Sequence, residues 1–138
     1  MKRNINIVCD SYKHIAENYD SVNISQINNL VDCSVDMVLY YSIGYMEKSE
    51  AKNIFSLLTN KLRPGGSIIV KFSNLELLCQ NYLQKKISNN DFLEQVKTLT
   101  NCMSVDEIFT YVNGDKIRVT KIGKEKNNIS MVVTRVAL

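Results

Sequence analysis

The stretch from Asp36 to Phe72 constrains this chain more than any other. Met37-Val38-Leu39-Tyr40-Tyr41 is a nearly unbroken apolar and aromatic run, the pattern of a strand covered on both faces, as in a parallel sheet. From Glu47 to Leu62, Ala51, Ile54, Phe55, Leu58 and Leu62 recur at spacings of three and four, which predicts a helix with one buried stripe. Ser49 is the expected cap, and Glu50 falls in the first turn, where the helix dipole favours an acid. Pro64 ends the helix, and Gly65-Gly66 offers two positions free to take positive φ. Ser67 to Phe72, rich in β-branched residues, is a second central strand. Strand, helix, sharp turn and strand together dictate an α/β sheet.

Upstream, Ile5 to Cys9 reads as a short strand, and Tyr19 to Ile24 holds another, with Val22 and Ile24 alternating. Parallel strands need about a dozen residues between them, so either the first helix is cut to a turn or two or the second segment is an edge. Ile27, Leu30 and Val31 suggest a short helical turn on the core. Downstream, three capping patterns open three helices. Ser73 with Glu76 starts one running to about Lys86, with Leu75, Leu78, Cys79 and Tyr82 inward. Asp91 to Glu94 starts one running to about Asn101, with Phe92, Val96 and Leu99 inward, and Ser104 with Glu107 starts one ending near Val112. After an Asn113-Gly114 turn, Lys116 to Ile122 and Ile129 to Val136 form a terminal antiparallel hairpin.

The 138 residues make one domain, with an apolar content of 45% and a formal charge of +3. That charge is too small to imply nucleic acid without a patch or a recognition motif. There is no apolar run of about 18 residues for a membrane span, and Met1-Lys2-Arg3-Asn4 is not an apolar leader. Cys9, Cys33, Cys79 and Cys102 form no CxxC pair, and His14 alone could join them, so no metal site is expected. The expectation is four buried free thiols in a reducing, cytoplasmic compartment.

The strand opened by Asp36, the strand-end loop, the amphipathic helix, the Leu62-Arg63-Pro64-Gly65-Gly66 turn and the strand after it resemble the second half of class I S-adenosylmethionine-dependent methyltransferases. The likeness is greatest to small type 11 members. It covers residues 4–86, and the final hairpin by topology. It implies a Rossmann-like sheet, truncated in its N-terminal half, with a C-terminal antiparallel hairpin. It also implies S-adenosylmethionine as cofactor, held near Cys9, Asp10, Ser25, Asp36 and Tyr41. Asp36 looks like the family's strand-four aspartate. In the family a glycine-rich loop follows the first strand; here Asp10-Ser11-Tyr12 stands there. Ser25 stands where the family has an acid that binds ribose hydroxyls. Gly44 and Tyr45 replace the glutamate and histidine of a Leu-Glu-His-like segment.

These departures fall where the cofactor would be touched. Without glycine, side-chain bulk blocks backbone approach. Without the acid, charge-assisted hydrogen bonds are lost, roughly 1.5–3 kcal/mol each. The residues therefore point to a methyltransferase-like domain that is non-catalytic or deficient in cofactor binding. It would be an interaction or assembly module with a protein partner or a second copy of itself, and with no cofactor. The alternative is an active methyltransferase on a small-molecule, glycan or protein substrate. His14 and Glu17 would share a face if helical. Asp32 and Asp36 flank a strand entrance as a candidate carboxylate pair. Tyr40, Tyr41 and Tyr45 serve packing, stacking on a planar ligand, or phenolic acid–base chemistry. Lys116, Arg118, Lys121, Lys124 and Lys126 form either a solvated protective edge or a weak phosphate site.

Overall fold

The computed structural model describes residues 2–98, 103–112, 115–125 and 128–136. The strands are β1 (Asn4–Val8), β2 (Asp20–Asn23), β3 (Val35–Tyr40), β4 (Leu62–Ser73), β5 (Ile117–Glu125) and β6 (Asn128–Arg135). They form one sheet in the order β2-β1-β3-β4-β6-β5. The first four are parallel, and β6 runs antiparallel to both β4 and β5. This is the expected Rossmann-like mixed sheet with a C-terminal hairpin.

The connection from β1 to β2 settles the alternative left by the sequence. Cys9 to Tyr19 contains no helix, and β2 is an edge strand. Cys9 and Tyr12 exchange backbone hydrogen bonds of 2.9 and 3.1 Å, closing a tight turn. Asn6, buried in β1, donates from Nδ2 to the His14 carbonyl at 2.7 Å. A buried amide must find such a partner, and here it pins the coil to β1. Because the segment is not helical, His14 and Glu17 do not share a helix face.

Helices α1 (Lys48–Lys61) and α4 (Val105–Tyr111) supply the main core layer. Ala51, Phe55, Leu58 and Ile108 are buried with Ile68, Val70 and Phe72 of β4 and Ile129, Met131 and Val133 of β6. The Tyr40 hydroxyl donates to the Ala51 carbonyl at 3.1 Å. Arg135 donates from Nη1 to the carbonyls of Thr59, Asn60 and Leu62 at 3.0, 3.3 and 3.0 Å. A cation there adds a donor to carbonyls at the helix end, where that of Asn60 also accepts from the Cys33 amide at 3.1 Å, and complements the helix dipole. The alternate residues of β4 and β6, such as Ser67, Ile69, Ser130 and Val132, remain half-buried. Strand β3 is buried at Val35 and over Val38 to Tyr40, and Met37 is half-buried.

Within Leu62 to Gly66 the two glycines have different reasons. Gly65 takes φ +86 with open space around it. Gly66 does not need positive φ: a Cβ there would stand 2.9 Å from the Arg63 and Val35 carbonyl oxygens and 3.1 Å from that of Asp36. The expectation that both positions serve positive φ holds for Gly65 alone. The turn is absorbed into β4 as a register shift, between the pairs Val35–Leu62 and Met37–Ser67.

Other details depart from expectation. Glu47, with no side-chain cap bond, precedes α1, and Ser49 lies inside the helix. Helix α2 (Leu75–Leu83) is capped by Asn74, which accepts from Leu77 N–H, while Ser73 is the last residue of β4 and donates to Asn128 on β6. It ends before Lys86, and Leu75 is exposed while Leu78 is buried. Helix α3 (Asn89–Thr98) starts earlier than expected, with Ser88 accepting from Asp91 N–H, and Val96 is exposed. Ser104 caps α4 as expected, accepting from Glu107 N–H. Ile24 to Asn29 is a 3-10 turn that buries Ile27, and Leu30 follows it buried while Val31 is exposed. Cys9 is buried, but Cys33 and Cys79 are only partly so. Leu99, Asn101, Cys102, the Asn113-Gly114 turn and Lys126 lie outside the described residues.

Candidate functional site

The chain leaves β1 toward β2 on one side and leaves β3 toward β4 on the other. In open α/β sheets such a switch point opens a crevice beyond the C-terminal ends of the two strands, and ligands bind there. Two segments border the crevice: the Cys9–Tyr12 turn, and a 3-10 turn from Tyr41 to Tyr45. Ser42 in the latter is fully buried, and its hydroxyl has no protein partner.

Two chambers meet at this edge, with Tyr45 in the wall of both. One, of about 250 Å³, is lined by Cys9, Asp10, Ser11, Ile24, Tyr45, Met46, Glu47 and Glu50. It has three carboxylates and no Lys, Arg or His in its lining. The other, of about 290 Å³, is lined by Tyr12, His14, Tyr41, Gly44, Tyr45, Lys71, Phe72, Ser73 and Asn128. It has a lysine and a histidine and no carboxylate. The two chambers therefore differ in charge although they share a wall.

Aromatic rings shape the divide. The Tyr12 ring lies 5.2 Å from that of Tyr45 and 4.9 Å from that of His14, centroid to centroid. Burial, then the neighbouring Tyr45 and Tyr41, raise the Tyr12 phenol above its ordinary range. Burial also raises Tyr41, with Tyr19 and Glu125 adding to it. Both phenols thus stay protonated near neutral pH and serve as walls and hydrogen-bond donors rather than as bases. The Lys71 ammonium sits 5.8 Å from the centroid of the Tyr41 ring and 3.6 Å from an oxygen of Glu125.

The structure brings some of the expected site residues together and separates others. Cys9 and Asp10 line the acidic chamber, and Tyr41 lines the neighbouring one. Ser25 sits just beyond Ile24, but its amide and hydroxyl both donate to Asn23 Oδ1, at 3.1 and 3.0 Å, as part of a cap. Asp36 lies at the opposite end of β3. It accepts from the Arg3 amide at 2.8 Å and from Arg63 at 3.1 Å. The Arg3 hydrogen bond chiefly, and then Arg63, hold its carboxyl below the ordinary range. That arrangement answers the backbone-satisfying role for Asp36. Asp32 pairs with Lys61 at 2.7 Å, so the two carboxylates at this strand entrance have separate cationic partners. Tyr40 is core, Tyr45 packs against Tyr12 with the ring planes 38° apart, and Arg118, Lys121 and Lys124 are exposed on the edge strand β5.

The sequence alone does not single out Glu47, Glu50, Lys71 and Asn128 as site residues. Glu47 and Glu50 follow the β3 strand-end loop, so the strand-end rule applied there would have found them. Lys71 is visible only once the strand pairing is known. Among the described residues, no group of three or more His, Cys, Asp or Glu could hold a metal ion. No helix of the described residues is long and apolar enough to cross a membrane.

No family model matches the chain, and no curated protein matches it in sequence. Solved structures do match in shape. A putative type 11 methyltransferase from Sulfolobus solfataricus superposes with a TM-score of 0.54 at 15% identity, over 86% of this chain and 60% of that one. PH0226 protein from Pyrococcus horikoshii OT3 gives 0.57 at 18% identity, over 95% of this chain and 71% of that one. A SAM-dependent methyltransferase from Archaeoglobus fulgidus gives 0.58 at 11% identity, over 94% and 75%. This chain thus spans less than two thirds of the Sulfolobus protein. These likenesses show a class I methyltransferase-like fold.

Proposed function

We propose that this chain is an S-adenosylmethionine-dependent methyltransferase that holds its cofactor in the acidic chamber and a small acceptor in the basic aromatic one. The observation that carries the reading is the meeting of two oppositely lined chambers at Tyr45, over the switch point of the sheet. The donor set suits the nucleoside part of such a cofactor. Asp10, Glu47 and Glu50 offer acceptors for a pair of ribose hydroxyls, the role left vacant at Ser25. Ile24, Tyr45 and Met46 offer an apolar wall for a flat base. The same carboxylates favour a cationic ligand. When bound, the cofactor supplies an electrophilic methyl group. The protein's part is positioning: Tyr45 touches both chambers and sets how the two ligands face each other.

A second reading has its own observation. Tyr12, closed into the tight turn with Cys9, packs at a tilt against Tyr45 and stands where a glycine loop would leave the approach open. On that reading the domain is a non-catalytic interaction or assembly module with a protein partner or a second copy. Calorimetric titration with S-adenosylhomocysteine separates the two. The methyltransferase reading expects saturable micromolar binding, weakened about tenfold by Glu47→Gln with Glu50→Gln. No heat in the wild type, and none after Tyr12→Gly opens the turn, would leave the interaction module standing.

A further inference from the structure

We infer that the chamber beneath Tyr12, His14 and Tyr45 binds a planar aromatic anion: one ring carrying a carboxylate or a phenolate. Three features of the lining combine. First, Tyr12, Tyr41, Tyr45 and His14 surround the space with ring systems, and rings pack best against other flat rings. Second, Lys71 brings a cation to this aromatic wall with binding capacity to spare. Its ammonium has three donors, and its recorded ion pair with Glu125, at 3.6 Å, is loose and involves a carboxylate 73% exposed. An exposed pair of that kind contributes little and yields readily to a better-placed anion. Third, no carboxylate lines this chamber, whereas three line the adjoining one. An anion is favoured on one side of Tyr45 and opposed on the other, so the two chambers sort ligands by charge.

Size narrows the class. A cavity of about 290 Å³ is at the small end of ligand sites, which begin near 300 Å³. That suits a single substituted ring rather than a fused or glycosylated one. Ser73 and Asn128, hydrogen-bonded to each other at 3.1 Å, add polar groups to the chamber wall. The ligand's role as methyl acceptor rests on the function proposed above; its binding does not.

The test uses the whole chain without cofactor and three probes by calorimetry: 4-hydroxybenzoate, the neutral 4-hydroxybenzyl alcohol and the non-aromatic cyclohexanecarboxylate. 4-Hydroxybenzoate is expected to bind about tenfold or more tighter than either of the others. Lys71→Met is expected to erase its advantage over the alcohol and to leave the alcohol unchanged. Glu125→Gln, at an exposed position that does not endanger the fold, is expected to tighten 4-hydroxybenzoate by freeing the ammonium. Equal affinity for all three probes, no saturation by about 10 mM, or indifference to both substitutions would overturn the inference. Because no cofactor is present, failure of S-adenosylhomocysteine to bind would leave a positive result here intact. Equally, failure here would not count against cofactor binding.

Discussion

Replacing Gly66 by alanine isolates the physical reason for the Leu62–Gly66 turn. An added Cβ would lie 2.9 Å from two backbone oxygens and 3.1 Å from a third. None of these atoms is the far end of a flexible side chain. They belong to Val35, Asp36 and Arg63, the backbone at the register shift between β3 and β4. Relief therefore requires moving the strands apart or distorting the turn. Overpacking of this kind costs about 1–3 kcal/mol. At about 2.1 cal/mol/K per residue, that lowers the midpoint of a chain this size by roughly 3–10 °C. Gly65 gives the contrast. Its φ is +86 and nothing lies within 4 Å of an added Cβ. Alanine there meets only backbone strain, about 1–2 kcal/mol, and asparagine, which tolerates the left-handed region, should recover part of it. Asparagine at 66 should be no better than alanine. Thermal and denaturant unfolding of the four variants decide the matter. Gly66→Ala within about 0.3 kcal/mol of wild type, or rescue by asparagine at 66 but not at 65, would refute the reasoning.

Three further outcomes follow from the contacts. Arg135→Met keeps much of the stem but removes the guanidinium bond to three carbonyls where α1 passes into β4, of which that of Asn60 keeps the Cys33 amide at 3.1 Å; urea unfolding should show a loss of about 2–3 kcal/mol, against less for Arg135→Lys. Asp36→Asn tests the depressed carboxyl. A folded-state pKa below the unfolded one contributes stability above about pH 4 that vanishes as pH falls through the folded value. The gap in stability between wild type and variant should therefore be constant above pH 5 and close toward pH 2; a gap that widens in acid would contradict it. Ser42→Ala removes a buried hydroxyl with no protein partner and should be neutral or stabilising by up to about 1 kcal/mol in the same unfolding assay.

The central unit was legible because periodicity and breakers agreed. The α1 stripe, Pro64 and the β-branched run after it each follow from local chemistry. Caps were less legible, since serines and asparagines compete for the same role. Ser73 fits the capping pattern, but its hydroxyl is drawn to Asn128 on β6, and Asn74 caps instead. That outcome depends on a strand pairing 55 residues away in sequence. The Cys9–Tyr19 coil was legible as too short for a full helix, though the pinning of its backbone by buried Asn6 was not. The site suffered from the same nonlocality. Reading strand ends one at a time finds no acid at Ser25 and no glycine after Cys9. Folding brings Glu47 and Glu50, from the start of the next helix, to that same place. Asp36, conspicuous in sequence, lies at the far end of its strand.

The most direct measurement of the functional account is a map of amide chemical shifts as S-adenosylhomocysteine is added to the isotope-labelled chain. The account predicts saturable shifts confined to the crevice edge: residues 9–12 after β1, Ile24 and Ser25 after β2, and residues 44–50 after β3. The Asp36–Gly65 end should be silent. An unchanged spectrum, or shifts centred on Asp36 and Gly65, would contradict it.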